Sequence, residues 1–232
     1  MISDRELMRM HVEALFTHDA DGHLDRVNEP DGAPAPRFFL GRTRDGDVWR
    51  FRRDVDHGLR EELEAAIRGD VLATGALDSP VSLSRYEEIL ARSAPVQRTW
   101  VGPAFCFPPA LSTTTEAVLV TEENVHVLRP LLEAWIPDTR VCQPMFALIV
   151  DGSAVAVCAS VRQTSDAHEA GVDTAPSHRG RGYAPRVVAA WARAVRDMNR
   201  VPLYSTSWKN EASRAVARKL ALIQFGSDLH VS

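Results

Sequence analysis

The sequence predicts a two-domain α+β protein, and three observations predict it. Asp151-Gly152 stands between two apolar runs, Phe146 to Val150 and Ala154 to Val161, which is the strongest short-range signal of a β-hairpin. A glycine-rich turn, Arg179-Gly-Arg-Gly182, separates a strand-like run from a helix-periodic one. In the first half, short strand-like runs are broken by turn residues and then give way to helical spacing.

Ser3-Asp-Arg-Glu6 reads as a capping box, with Ile2 and Leu7 placed for a hydrophobic staple, so a helix is expected over Ser3 to Leu15. Turn chemistry follows at Asp19-Ala-Asp-Gly22, through the proline-rich Glu29 to Pro36, and at Arg44-Asp-Gly46 between Phe38-Phe-Leu40 and Val48 to Phe51. That pattern makes a small antiparallel sheet. Helical spacing resumes at Leu59, Leu63, Ala66 and Ile67 and again at Tyr86, Ile89 and Leu90. Val101 to Pro109, with Pro103, Pro108 and Pro109, cannot continue a helix. The domain boundary is therefore placed near residue 112, leaving 1–112 as a smaller N-terminal α+β domain and 113–232 as the second domain.

In the second half a strand is expected at Ala117 to Val120, then a helix capped by Thr121, with Val125, Leu128, Leu132 and Trp135 on one face and a bend at Pro130. After the hairpin a third strand covers Ala167 to Thr174. The next helix is the clearest: Ala184, Val187, Val188, Trp191, Ala194, Val195 and Met198 recur at three and four, while Arg186, Arg193, Arg196 and Arg200 take other faces. Leu203 to Ser207 reads as a strand. A last helix starts from Asn210 as N-cap, with Ala212, Val216 and Leu220 inward, and a final strand covers Ile223 to Val231.

Of 232 residues, 45% are hydrophobic and 25% charged, with a net charge of −4, as in a soluble globular protein. No run approaches ~18 apolar residues, and Met1-Ile-Ser-Asp-Arg-Glu lacks the order of a secretory signal, so a cytoplasmic protein without a membrane partner is expected. Cys106, Cys142 and Cys158 suggest neither a disulfide framework nor a Cys-x-x-Cys site. Mild acidity argues against nucleic acid as a partner, although the cluster from Arg179 to Arg186 needs its own explanation. Thr17 to Asn28 has the length of a calcium loop, but Thr17 and Asn28 stand where acidic ligands are required, so a hairpin turn is expected there. His18 and His23 lack metal-ligand partners at useful spacing and no Gly-x-Ser-x-Gly occurs, so no metal and no serine hydrolase are expected. Trp49, Trp100 and Trp135 read as packing residues, whereas Trp208 follows a strand that bears on the chemistry below.

The strand ending in Val172-Asp-Thr-Ala-Pro176, the turn Ser177 to Ala184 and the long helix together make an anion hole. Two glycines let the main chain turn sharply, successive amides converge, and the helix N-terminus adds partial positive charge, which suits a pyrophosphate. Arg179 and Arg181 reinforce it. A plain tight loop is the alternative. A dinucleotide fold is disfavoured, because Pro185 stands in place of a third glycine and Arg200 to Thr206 offer no acidic residue. A P-loop would need Gly-Lys-Ser/Thr, which is absent.

Val172-x-Thr174-x-Pro176-x-x-Arg179-Gly-x-Gly182-x-Ala184 resembles the acyl-CoA-binding motif of the GNAT acetyltransferase superfamily. The block from Tyr204 through Asn210, Ser213, Val216 and Lys219 to Leu220 is similar to that superfamily's next strand and helix, particularly its FR47-like branch. The likeness covers about 113–232 and implies a mixed, mostly antiparallel sheet with helices on both faces. It also implies acetyl transfer from acetyl-CoA to a primary amine of a small molecule or peptide. A homodimer stays open. Residues 1–112 would complete the acceptor pocket or form a degenerate GNAT-like module.

By that resemblance, the amides of Arg179, Gly180, Arg181, Gly182, Tyr183 and Ala184 hold the pyrophosphate. The main chain of Val172 and Thr174 pairs with the pantetheine arm, and Asn210 and Ser213 contact the CoA chain; as plain structure, the last two are an N-cap and a packing serine. The Val172 amide would stabilise the oxyanion and Glu169 would accept the amine proton, with His168 and His178 as weaker bases. The superfamily's acidic tyrosine is replaced by Ala217, leaving Tyr204, Ser205, Ser207 or unassisted departure of the thiolate. Ala221 replaces a glycine, so the end of that helix is expected to differ. These departures keep open a non-catalytic acyl-CoA sensor.

Overall fold

The computed structural model describes residues 2–30, 32–70, 77, 83–111 and 116–232. In chain order the elements are α1 (Asp4–Leu15), β1 (Phe16–His18), β2 (Leu24–Val27), β3 (Phe38–Thr43), β4 (Val48–Phe51), α2 (His57–Gly69), α3 (Ser84–Ala91), β5 (Thr99–Cys106) and β6 (Ala117–Leu119). They continue with β7 (Met145–Val150), β8 (Ser153–Gln163), β9 (Ala167–Thr174), α4 (Tyr183–Asp197), β10 (Val201–Ser205), α5 (Glu211–Lys219) and β11 (Ile223–Val231). Two compact units emerge: Met1–Phe105 with Ser205–Asn210 and Gln224–Ser232, and Cys106–Tyr204 with Glu211–Ile223. The expected boundary near residue 112 lies outside the described residues. Among the described residues no helix is long and apolar enough to cross a membrane.

In the first unit, β11 lies between β3 and β5, and β3 pairs with β4 on its other side. Helix α1 starts as expected, with the Ser3 hydroxyl accepting the Glu6 amide at 3.2 Å. The rest of the expected entry differs: the Glu6 carboxylate turns to Arg9, and Ile2 stays 43% exposed. Met8 enters the sheet surface where a Cβ on Gly41 or Gly226 would lie 2.2 or 2.4 Å from it, so two glycines make room for one buried methionine. On the opposite face, Leu59, Leu63, Ile67, Tyr86 and Leu90 of α2 and α3 cover Phe38, Leu40, Leu229 and Val231.

In the second unit β6, β7, β8 and β9 form an antiparallel series, and β10 joins β9 in parallel. The β7–β8 turn is the expected Asp-Gly hairpin, with positive φ at both Asp151 and Gly152 and Val150 opposite Ser153. Helix α4 covers one face through Val187, Val188, Trp191 and Val195. The other face carries a correction. Residues after Thr121 do not form one helix but three 3₁₀ turns, at Val125–Leu128, Glu133–Trp135 and Pro137–Arg140, and the Arg129–Pro130 peptide is cis. Proline removes amides that a continuous α-helix would need, and the Thr121 amide instead donates to the Asn124 side chain. Leu128 and Leu132 nevertheless reach the core with Met145, Ala147, Val157 and Ala159. The unit is thus a mixed sheet with helical segments on both faces.

Candidate active site

The candidate site is built on β9. Its parallel pairing with β10 runs through Val201–Ala167, Pro202–His168 and Leu203–Glu169 and ends there. Ala170 to Thr174 run on paired to β8 alone, which leaves a fork with one main-chain edge open. Val172, half-buried, sits on that edge. Thr174 is already engaged: its amide donates to Asp173 Oδ1 at 2.7 Å, and its carbonyl accepts from Arg179 Nε at 3.2 Å. A ligand pairing with Thr174 would therefore have to displace two exchangeable partners.

From β9 the chain makes a 3₁₀ turn at Pro176–His178 and then bends twice through left-handed glycines, Gly180 at φ 77° and Gly182 at φ 79°. Among the described residues, and apart from the two chain neighbours, no atom lies within 4 Å of a Cβ built on either, so glycine answers the backbone angle and the space beside it is open. Gly182 is the N-cap of α4 and supplies no side-chain cap, while Pro185 in the first turn brings no amide of its own. The expected basic cluster is smaller than it reads. Arg186 is paired with Glu116 and lies over the Tyr183 ring, 5.8 Å from its centroid, which leaves the exposed Arg179 and Arg181 beside the helix mouth. His178 is a neighbour of the same ring at 6.2 Å.

Glu169 occupies the last paired position of the fork, 2% exposed, with Arg162 on β8 and Leu203 on β10 as its strand neighbours. Strand alternation turns it to the face where Trp135 and Val161 crowd Gly171, opposite the α4 face. His168, 3% exposed, points the other way and bonds Ser160 at 2.8 Å. Tyr204 is 1% exposed and its hydroxyl is 2.6 Å from Ser213 Oγ. Burial pushes this phenol up to about 12, against the lowering effect of Ser213. Ala217, where an acid is expected by resemblance, is 2% exposed on α5.

Ser205 ends β10, and Asn210, exposed, precedes α5; both belong to the first unit, whereas Ser213 and Tyr204 belong to the second. On α5 the buried positions are Val216 and Ala217, and Ala212 is exposed, contrary to the expected inner face. The α5 terminus also departs from expectation. Ala221 adopts φ 50°, the left-handed angle usually left to glycine, so the helix closes in the ordinary way with Leu222 N–H on the Ala217 carbonyl at 3.0 Å.

In the first unit, Asp19, Asp21 and His23, which fall within the Thr17–Asn28 segment of calcium-loop length, bring ligand-type atoms within 4.8 Å of one another. The Asp19 carboxylate there accepts from the His23 and Asp21 amides and from Arg53, which fits a braced hairpin turn. The buried Ser160–His168–Trp191 contacts escaped the sequence reading, because their partners lie up to 31 residues apart and leave no local pattern.

Residues 146–225 match the GNAT acetyltransferase family model. No curated protein matches the chain. Among solved structures, a GNAT-family acetyltransferase from Colwellia psychrerythraea is similar at 11% identity and TM-score 0.50, covering 79% of this chain and 75% of that one. A GNAT-family protein from Novosphingobium aromaticivorans is 19% identical at TM-score 0.49 over 59% of this chain, which spans 65% of that protein, just under two thirds. A GCN5-related N-acetyltransferase from Kribbella flavida is 14% identical at TM-score 0.47, covering 99% of this chain and 95% of that one. The fold likeness rests on the Colwellia comparison and speaks to fold alone. The match to the family model is confined to residues 146–225, and the chain has the mixed α+β architecture of the GNAT fold.

Proposed function

We propose that the protein transfers an acetyl group from acetyl-CoA to a primary amine. One observation carries the reading: a strand fork opens beside two left-handed glycines that lead into a helix N-terminus with no side-chain cap. The open edge at Val172 suits an extended amide-bearing arm, and the amides from Arg179 to Ala184, with the side chains of Arg179 and Arg181, suit a pyrophosphate. Acetyl-CoA supplies the activated acyl carbon. Asn210 and Ser213 complete the proposed contacts from the start of α5, and membership of the FR47-like branch belongs to this reading.

In the chemistry, the amine nitrogen forms the new bond to the acyl carbon, the carbon–sulfur bond breaks, and the electron pair leaves on sulfur. The Val172 amide steadies the oxyanion, and Glu169, directly or through water, takes the amine proton. Protonation of the leaving thiolate by Tyr204 is disfavoured. With its phenol near 12, transfer to a thiolate of ordinary pKa ~8.5 runs uphill by about 5 kcal/mol. Unassisted departure of the thiolate fits the arrangement better, and Ser205 is the remaining hydroxyl of β10.

Calorimetric titration with acetyl-CoA, followed by assay of CoA thiol release over a panel of amines, tests the proposal. Binding with turnover supports it, and absence of binding refutes it. Ala217, buried and without a hydroxyl, favours one second reading, a non-catalytic acyl-CoA sensor. Tight binding with no turnover on any amine would select that reading.

A further inference from the structure

Ser160 on β8 and His168 on β9 face α4, at 0% and 3% exposure. Ser160 Oγ lies 2.8 Å from His168 Nδ1 and accepts the Trp191 indole N–H at 3.0 Å. An indole N–H only donates, and a serine hydroxyl has one hydrogen to give. Among the described residues, His168 Nδ1 is the acceptor left for that hydrogen, so the imidazole proton lies on Nε2. Burial first, and then the charge of Arg200, lower the His168 pKa, consistent with a neutral ring. Cys158 and Tyr204, the other titratable side chains on this face, are pushed up by burial and are uncharged as well.

These contacts sit at a mechanical junction. Ser160 pairs with Ala170, Arg162 with Glu169 and Gln163 with His168, so Val161 is an extra residue and the Ser160–His168 bond crosses a β-bulge diagonally. Beyond the bulge, a Cβ on Gly171 would lie 2.2 Å from Val161 Cγ1, so a larger residue at that crossing would have to push Val161 aside. His168 itself pairs with Pro202, one step before the last β9–β10 pair.

We propose that His168 is a positioning residue: through Ser160 and Trp191 it pins β9 to α4 across the bulge, and so sets where β9 parts from β10 and how far the acyl-CoA fork opens. Ser160 is on this view a relay of position, its hydroxyl saturated and buried, although its distance to His168 is that of a nucleophile and its base. The proposal rests on the acetyl-CoA reading above.

Two measurements on the full chain test it. In protein labelled with ¹⁵N-histidine, the His168 signal, assigned by its loss in His168→Asn, should show a protonated Nε2 and a bare Nδ1, and Ser160→Ala should shift the Nδ1 resonance. In calorimetric titrations with acetyl-CoA, Ser160→Ala and His168→Leu should weaken binding by roughly tenfold, whereas His168→Asn, whose amide oxygen can accept at the Nδ1 position, should restore it to within about twofold. If Ser160→Ala fails to fold, Trp191→Phe takes its place, since it removes the indole donor from the relay and keeps an aromatic ring in the buried position. A protonated Nδ1, or folded variants that bind acetyl-CoA as the parent does, would overturn the inference. Absence of acetyl-CoA binding by the parent protein would instead sink the functional reading, and the resonance measurement would still decide the hydrogen-bond arrangement.

Discussion

Replacing Ala221 by glycine should stabilise the protein, the reverse of what the same change does within a helix. Ala221 holds φ 50° at the end of α5, where its amide reaches the Arg218 carbonyl at 3.1 Å and the next amide reaches Ala217 at 3.0 Å. For an alanine this left-handed angle costs about 1–2 kcal/mol. Glycine removes that strain but gives the unfolded chain extra freedom worth about 0.4–1 kcal/mol. Ala221 is exposed, so loss of its methyl group forfeits no packing. The net gain is about 0.5–1 kcal/mol, a rise of roughly 1–4 °C in melting temperature for a chain of this size. Scanning calorimetry, with urea unfolding to check an unchanged m-value, reads it directly. Asn199 provides an internal control. It ends α4 at φ 57° through the same pair of bonds, and asparagine tolerates that angle, so Asn199→Gly should gain less than Ala221→Gly. An Ala221→Gly protein that melts at or below the parent temperature would refute the reasoning.

Gly182→Val should weaken acetyl-CoA binding by at least roughly tenfold and lower stability by about 1–2 kcal/mol, because it forces a branched side chain to φ 79° at the helix mouth; calorimetric titration and thermal melts measure the two effects separately. Glu169→Gln should reduce turnover about 10²- to 10³-fold while acetyl-CoA affinity changes little, and equal loss of binding would show that Glu169 is structural. Asp228, buried between His11 and His230, gives a pH prediction. Burial alone would raise its pKa, but the imidazoles of His11, 3.7 Å away, and His230, 2.6 Å away, hold it well below its ordinary value of 3.8. Because the folded pKa is depressed, its stabilisation is present above about pH 4 and is lost as pH falls through the folded value. Melting temperature should therefore stay level into mild acid and then decline, and Asp228→Asn should flatten that acid limb; an unchanged limb would count against the buried charge.

Local order along the chain determined much of this protein. The capping serine, the Asp151-Gly152 hairpin, the strand from Ala167 to Thr174, the glycine turn and the amphipathic α4 each depend on residues within a few positions of one another, so propensity and period express them directly. The binding half of the candidate site was legible for the same reason, since an anion hole is a backbone feature of one short segment. Residues 121–135 were misread as one helix bent at Pro130, because apolar spacing cannot report how far prolines break the main-chain ladder, although the leucines still found the core.

Only tertiary structure decided what depends on distant partners. It placed β11 between β3 and β5, ended the β9–β10 pairing at Glu169, paired Arg186 with Glu116, held Tyr204 on Ser213 and buried Asp228 between two histidines. Apart from Asp228 and His230, two residues apart on one face of β11, each of these joins segments whose separation in sequence carries no period. The amino-acid order could name the chemistry of the turn, but how far the strands beside it stand apart is settled by packing against α4 and by a bulge whose register no single strand encodes.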